Sequence, residues 1–293
     1  MNLTDKQKGI ALSLIGVLLI TPDSLLVRLI NVSSWGLVFY RGLIPFVCLL
    51  ILLLFYYKKN LIKALLITGL PGLFYAILIA LGNTTFILSL ENTNVANTLI
   101  MIALTPFTTA ILSSIFLKEH PSKRMWLTII SCFFVVLFIF YDSYQGNRMF
   151  GDFFGLLTAI LIGGSAVVVR YSKLVNFLPS LLIAKLFTLV IPILFIQSFP
   201  ESLIIDLREF YLIIGMGICL FIALSFITLA PRYIPAYEVE IFFVLETILG
   251  PLWVWLIIHE QPTAKTLIGG IGIILIIMSH TLSELRSLDS SKN

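Results

Sequence analysis

The most constraining feature of this sequence is a stretch that it contains twice. Thr98–Pro121 reads TLIMIALTPFTTAILSSIFLKEHP, and Val239–Pro262 reads VEIFFVLETILGPLWVWLIIHEQP. Each is an apolar run long enough to cross roughly 30 Å of hydrocarbon. A proline or glycine interrupts each run, and a Glu-x-Pro ends it. Glu119 recurs as Glu260 and Pro121 as Pro262, both 141 positions on. A shared offset marks a duplicated module, so the chain is expected to be two copies of one membrane-embedded unit.

The rest of the chain fits this expectation. Hydrophobic residues make up 59% and charged residues 12%, against roughly 45–50% and about 25% in soluble domains. A water-exposed globule is therefore excluded. Apolar runs of spanning length fall near 9–30, 35–56, 64–89, 95–117, 125–141, 152–170, 177–197, 210–230, 236–258 and 265–282. The third and eighth are the least regular, because Pro71, Asn83, Gly215 and Gly217 interrupt them. The longest connections, Asp142–Phe150 and Ser198–Glu209, are too short for a soluble domain. Lys6 and Lys8 ahead of the first run imitate a secretory signal, but no small-residue cleavage site follows, so the run is read as a retained first span.

Loop charges set the orientation. With the N-terminus inside, one face collects Lys58, Lys59, Lys63, Lys118, Lys123 and Arg124 among others, and the opposite face keeps only Arg28, Arg148, Arg208 and Lys265. Basic loops stay cytoplasmic, which places both termini inside and requires an even number of spans. Ten spans make five per half, and an odd count inverts the second half relative to the first. The expected fold is all-α, with ten transmembrane helices in two inverted five-helix repeats, 1–143 and 150–284, and a cytoplasmic tail at 285–293. Gly9 with Gly151, Arg28 with Arg170 and, slightly displaced, Arg41 with Lys185 repeat at nearly the same shift.

Ten spans in two halves, a proline or glycine in the fourth helix of each, the exits LKEHPSKRMWLTII and IHEQPTAKTLIGGIGIILI, and the Leu245-Glu246 pair ahead of Pro251 together resemble the EamA-type branch of the drug/metabolite transporter superfamily. The resemblance covers nearly the whole chain. It implies a ten-helix secondary carrier of small organic solutes, often an exporter of amino acids or related metabolites, with a cavity between the halves. One departure is that TIISCFFVVLFIF lacks the glycines usual in the fifth span, whereas the tenth carries Gly269, Gly270 and Gly272. The alternative within transport is an uptake carrier or exchanger for a nucleotide-like metabolite such as S-adenosylmethionine. An intramembrane enzyme or a scaffold is a more distant alternative.

A charge inside the bilayer costs roughly 2.5–3.5 kcal/mol on insertion scales and is a functional candidate by default. Glu246, about ten residues or roughly 15 Å into the ninth span, can face a cavity and meet a cationic group or a coupling proton, or instead lock helix packing. At 100° per residue Glu238 lies nearer the face of Glu246 than Glu240 does, so Glu238 is the expected companion. The alternative is that both mark the water boundary. Arg41 and Lys185 either meet carboxylates in the membrane or snorkel to its surface, and Asp23 is a candidate partner for Arg41. Asn83, Asn97, Tyr40, Tyr75 and Tyr237 lie at depths where they can line a cavity or bond between helices. Trp253 and Trp255 suit an interfacial belt. Pro106, Gly250 and Pro251 lie inside the repeated stretch and are candidate hinges, or else static kinks.

The expected partners are a small-molecule substrate and the lipid bilayer of the cytoplasmic membrane, with the chain a monomer or homodimer. The net charge of +4 gives no reason to expect nucleic acid. Neither cofactor nor metal is expected: no P-loop and no H-E-x-x-H occurs, and Cys48, Cys132 and Cys219 are scattered as packing residues.

Overall fold

The computed structural model describes residues 5–119, 148–195 and 205–261, together with parts of 126–138 and 264–279. The expected half boundaries at 143 and 284, the 285–293 tail, Pro121, Pro262 and Cys132 lie outside them, as does much of the expected fifth and tenth spans. The described residues are helical with no strand. In chain order the helices are α1 Asp5–Ile20, α2 Asp23–Leu29, α3 Ser34–Tyr57, α4 Leu61–Asn92, α5 Val95–Ile102, α6 Thr105–Phe116, α7 Met149–Tyr171, α8 Leu178–Phe195, α9 Leu207–Leu229, α10 Ala236–Ile241 and α11 Val244–Ile258. Six helical stretches are long and apolar enough to cross a membrane, and one of them, Ser34–Asn92, contains both α3 and α4.

Three of the expected spans are broken helices. The first divides between α1 and α2, where Pro22 precedes α2 and has no N–H with which to continue the ladder. The fourth divides at Ala103-Leu104, after which Pro106 occupies the first turn of α6, where its missing N–H is harmless. The ninth divides at Phe242-Phe243, without a proline or glycine, and nothing in the local sequence accounts for it. The third and eighth spans are less interrupted than their composition suggests. Asn83 donates from Nδ2 to the Ile79 carbonyl one turn back, at 2.9 Å, and so stays within the helix. Only Gly69, with φ +54° and ψ −151°, leaves helical geometry in α4.

Packing runs mainly between helices that precede residue 120 and helices that follow residue 147. α4 lies on α7 and α8, α9 on α1 and α3, α5 and α6 on α7, α10 and α11 on α1, α3 on α8, and α5 and α6 on α11 and α10 respectively. Small residues allow the closest approaches. A methyl at Gly42 would lie 2.5 Å from the Leu189 nitrogen and 2.9 Å from the Lys185 carbonyl oxygen, so α3 and α8 cross nearly backbone to backbone. Gly9 meets Tyr233 and Ile234, which lead into α10, and Gly151 meets Asn92 and Thr93, which lead into α5. Large apolar side chains such as Phe55, Leu70 and Leu194 point outward and are well exposed, as a surface bathed in hydrocarbon requires.

Candidate functional site

Among these crossings lies a cavity of about 70 Å³. Its polar lining is Asp23 from α2, Arg41 from α3, Tyr75 and Asn83 from α4, Ser165 from α7, Thr228 from α9, Glu240 from α10 and Glu246 from α11. Phe86, Ile102, Leu220 and Phe243 supply apolar wall. Arg41 is almost fully buried and its Nη1 donates to Asp23 Oδ1 at 2.5 Å. Its guanidinium stacks over Phe86, with Cζ 5.0 Å from the ring centroid, a geometry favoured by the ring quadrupole. Arg41 Nε has no partner among the described residues. Charge pairing and ring stacking fix the guanidinium in the wall and leave one N–H spare.

Of the residues expected to bind substrate, Glu246, Arg41, Asn83 and Tyr75 line this cavity. Lys185 stands just behind it. It is fully buried, so it does not snorkel, and its Nζ donates to Asn83 Oδ1 at 3.4 Å. Asn97 is buried elsewhere, with Nδ2 3.3 Å from both carboxylate oxygens of Asp152. Tyr40 packs against the cluster around Leu37, Val38 and Met216, and Tyr237 against that of Ile100, Met101 and Phe107. Glu238 sits half-buried in the first turn of α10. Among the expected hinges, Pro106 directly follows the break in the fourth span, Gly250 packs on Leu99 and Ser24, and Pro251 lies within α11.

Two lining carboxylates were not singled out as binders by sequence reasoning. Asp23 was named only as a partner for Arg41, and Glu240 was ranked behind Glu238. Helical phase counted back from Glu246 fails at the Phe242-Phe243 break, and Glu240, 1% exposed, is the one turned to the cavity. The Tyr75 hydroxyl is 2.7 Å from the Thr228 hydroxyl on the same wall.

Two ion pairs join residues that precede position 120 to residues that follow position 147. Arg28, closing α2, places Nε 3.2 Å from Glu260 Oε2 and donates from Nη2 to the Thr93 carbonyl at 2.9 Å. The Val95 amide donates to Glu260 Oε1 at 2.9 Å. Arg170, in the last turn of α7, donates from Nε to Glu119 Oε1 at 3.1 Å. The residue before each glutamate is left-handed, Lys118 at φ 57° and His259 at φ 58°. The two are again 141 positions apart. A left-handed residue ends its helix and here delivers the next side chain to the arginine of the other half.

The cavity is thus buried among helices of the bundle and lined by charges of both signs, an arrangement that is costly inside a membrane protein. Residues 7–141 match the model of the EamA-like transporter family. The EamA-like region contributes Asp23, Arg41, Tyr75 and Asn83 to the cavity, and the remainder contributes Ser165, Thr228, Glu240 and Glu246. The resemblance read from the helix exits is thus met over residues 7–141, and with six helical stretches able to cross a membrane it supports a multi-pass membrane transporter. Its sequence is similar to that of the Pseudopaline exporter CntI of Pseudomonas aeruginosa strain UCBPP-PA14, 24% identical over 231 residues that cover 75% of this chain and 76% of that protein. The same exporter from strain PAO1 is equally similar. A solved protein crystal structure shares the fold, with a TM-score of 0.66 at 13% identity over 94% of this chain and 97% of its own.

Proposed function

We propose that this protein is a secondary active carrier of the cytoplasmic membrane, built from two inverted five-helix halves, that exports a small metabolite bearing both amine and carboxylate groups. The observation that carries this reading is the cavity itself: Asp23, Glu240 and Glu246 supply negative charge, while Arg41 and, through Asn83, Lys185 supply positive charge. Such a set complements an amino-acid-like zwitterion. Similarity to an exporter favours efflux. The nucleotide-like alternative is less well supported, since the relative of known role is named as an exporter of pseudopaline.

A two-fold relation between the halves is supported by the pattern of packing, and the odd number of spans per half makes that relation an inverted one in this reading. Exchanging each helix for its counterpart five spans on turns α4 on α7 into α9 on α1, α4 on α8 into α9 on α3, and α5–α6 on α7 into α10–α11 on α1. The contacts α3 with α8 and α5–α6 with α10–α11 map onto themselves. The crossed pairs of Arg28 with Glu260 and Arg170 with Glu119 obey the same exchange, as do Gly9 and Gly151. A cavity of about 70 Å³ holds a few waters, well below the roughly 300–1,000 Å³ of ligand pockets. Both end fastenings are made. In this reading the two pairs fasten the site in this conformation, and transport proceeds by releasing one of them at a time.

Both termini lie in the cytoplasm in this reading, the coupling ion is a proton, and the unit is a monomer or homodimer with no nucleic-acid partner. Proteoliposomes loaded with a mixture of amino acids, opines and nucleosides, with and without an imposed pH gradient, test it. Gradient-dependent loss of zwitterions is expected. Flux restricted to nucleosides, or no flux from a folded, reconstituted protein, would overturn it.

A further inference from the structure

We propose that Glu240 is a second cation-binding position of the cavity, at which the ammonium group of an amine-bearing cargo docks on its way to or from Glu246. The proposal rests on the transporter reading above and adds to it a defined docking point. Glu240 is 1% exposed, lines the cavity, and its Oε2 has no hydrogen-bond donor among the described residues. A carboxylate taken out of water and left without a donor is strongly disfavoured, and it either takes up a proton or is met by the donor of a ligand. The neighbours that line the same wall are otherwise engaged: Tyr75 and Thr228 bond to each other, and Arg41 is held by Asp23 and Phe86.

Position separates the two carboxylates. Six residues along the chain correspond to about 9 Å of helix rise, and the Phe242-Phe243 turn lies between them, with Phe243 in the cavity wall. Glu240 rides on α10, which packs against α6, α7 and the turn at Ala230–Arg232, whereas Glu246 rides on α11, which packs against α2 and α5. The cavity reaches Thr228 and Pro231 on the Glu240 side, next to Arg232, whose Nε donates to the Lys173 carbonyl at 3.0 Å. Glu240 thus faces the basic end of the bundle and Glu246 its centre. An ammonium entering from the basic end meets Glu240 first, and relative movement of α10 and α11 changes the distance to the second carboxylate.

Dicyclohexylcarbodiimide labelling of the purified full chain, read by peptide mass spectrometry, tests the site without knowledge of the cargo. Propylammonium chloride is expected to slow total modification of Glu240, counted as N-acylurea plus propylamide because the amine can also attack the activated carboxyl, several-fold in the wild type and in Glu246→Gln alike, while sodium chloride at equal ionic strength does not. No protection by propylammonium at any concentration the folded protein tolerates overturns the proposal. Equal protection by sodium also overturns it, since the site would then be one for inorganic cations. Glu240→Gln, checked for an unchanged thermal transition, removes that label and leaves Glu246 reactive. Once a cargo is known, Glu240→Gln should raise KM at least several-fold from the basic side of the membrane and leave kcat within twofold. Cargo flux with an unchanged KM defeats the Glu240 site and spares the transporter reading. Absence of flux defeats the transporter reading, while the protection assay still decides Glu240.

Discussion

The crossed ion pairs can be separated from general stabilisation by breaking each in turn. At one end, the side chains of Arg28 and Glu260 are 29% and 27% exposed. Exposed pairs contribute roughly 0.2–1 kcal/mol, and a well-made hydrogen bond to a charged group about 1.5–3 kcal/mol. A pair about three-quarters shielded, with the Val95 amide also on the glutamate, belongs between these, at about 1–1.5 kcal/mol after discounting for solvent. If that energy exists only while its own end is closed, Glu260→Gln shifts the population toward opening at that end by about five- to tenfold. Glu119→Gln, which releases Arg170, shifts it by a similar factor toward the other end. The readout is the reaction rate of a single cysteine at Ala166, on the cavity wall, with an impermeant thiol reagent, in right-side-out and inside-out vesicles of a variant whose native cysteines are replaced by serine. The two variants should change accessibility in opposite senses, and the Arg28/Glu260 double-mutant cycle should return a coupling of about 1 kcal/mol. Shifts in the same sense, or zero coupling, would refute the assignment of these pairs to opposite ends of one conformational cycle.

Other consequences are simpler to state. Glu246→Gln should abolish flux while leaving the helical content and monodispersity of the purified protein unchanged; normal flux removes Glu246 from the mechanism. Asn83→Leu leaves buried Lys185 without its acceptor and should cost about 1–3 kcal/mol, and adding Lys185→Met should recover part of that loss in a thermal-denaturation assay. Gly42→Ala forces a methyl against the α8 backbone and should cost about 1–3 kcal/mol, whereas Ala at Gly215, where a Cβ meets nothing within 4 Å, should be close to neutral or stabilising.

Much of the architecture was legible because hydrocarbon imposes it: spanning length, broken runs and the 141-residue echo all follow from composition and position. The echo of Arg28 with Arg170 and that of Glu119 with Glu260 were both visible. Their crosswise pairing was not, because an offset records descent from a common module and carries no information about which copy a side chain touches. The site was legible in part. Asp23 and Arg41 do pair, but the choice of Glu238 over Glu240 assumed one continuous helix, and no residue type announces the break at Phe242-Phe243. Lys185 has the length to snorkel, yet the close crossing of α3 on α8 at Gly42 holds it in the interior. Only the assembled bundle sets that depth.

The packing of α3 and α4 on α7 and α8 also has a consequence for biogenesis. Gly42 and its partners on α8 are about 140 residues apart, so at roughly 5–20 residues per second the finished α3 waits about 7–30 seconds for the surface it fits. During that interval Arg41 has Asp23 close by in sequence as a counter-ion, while Arg28 has no access to Glu260, which is 232 positions further along the chain. The nascent first half therefore enters the membrane with its central charge already neutralised and its end charge waiting, so insertion can precede the assembly that completes the bundle.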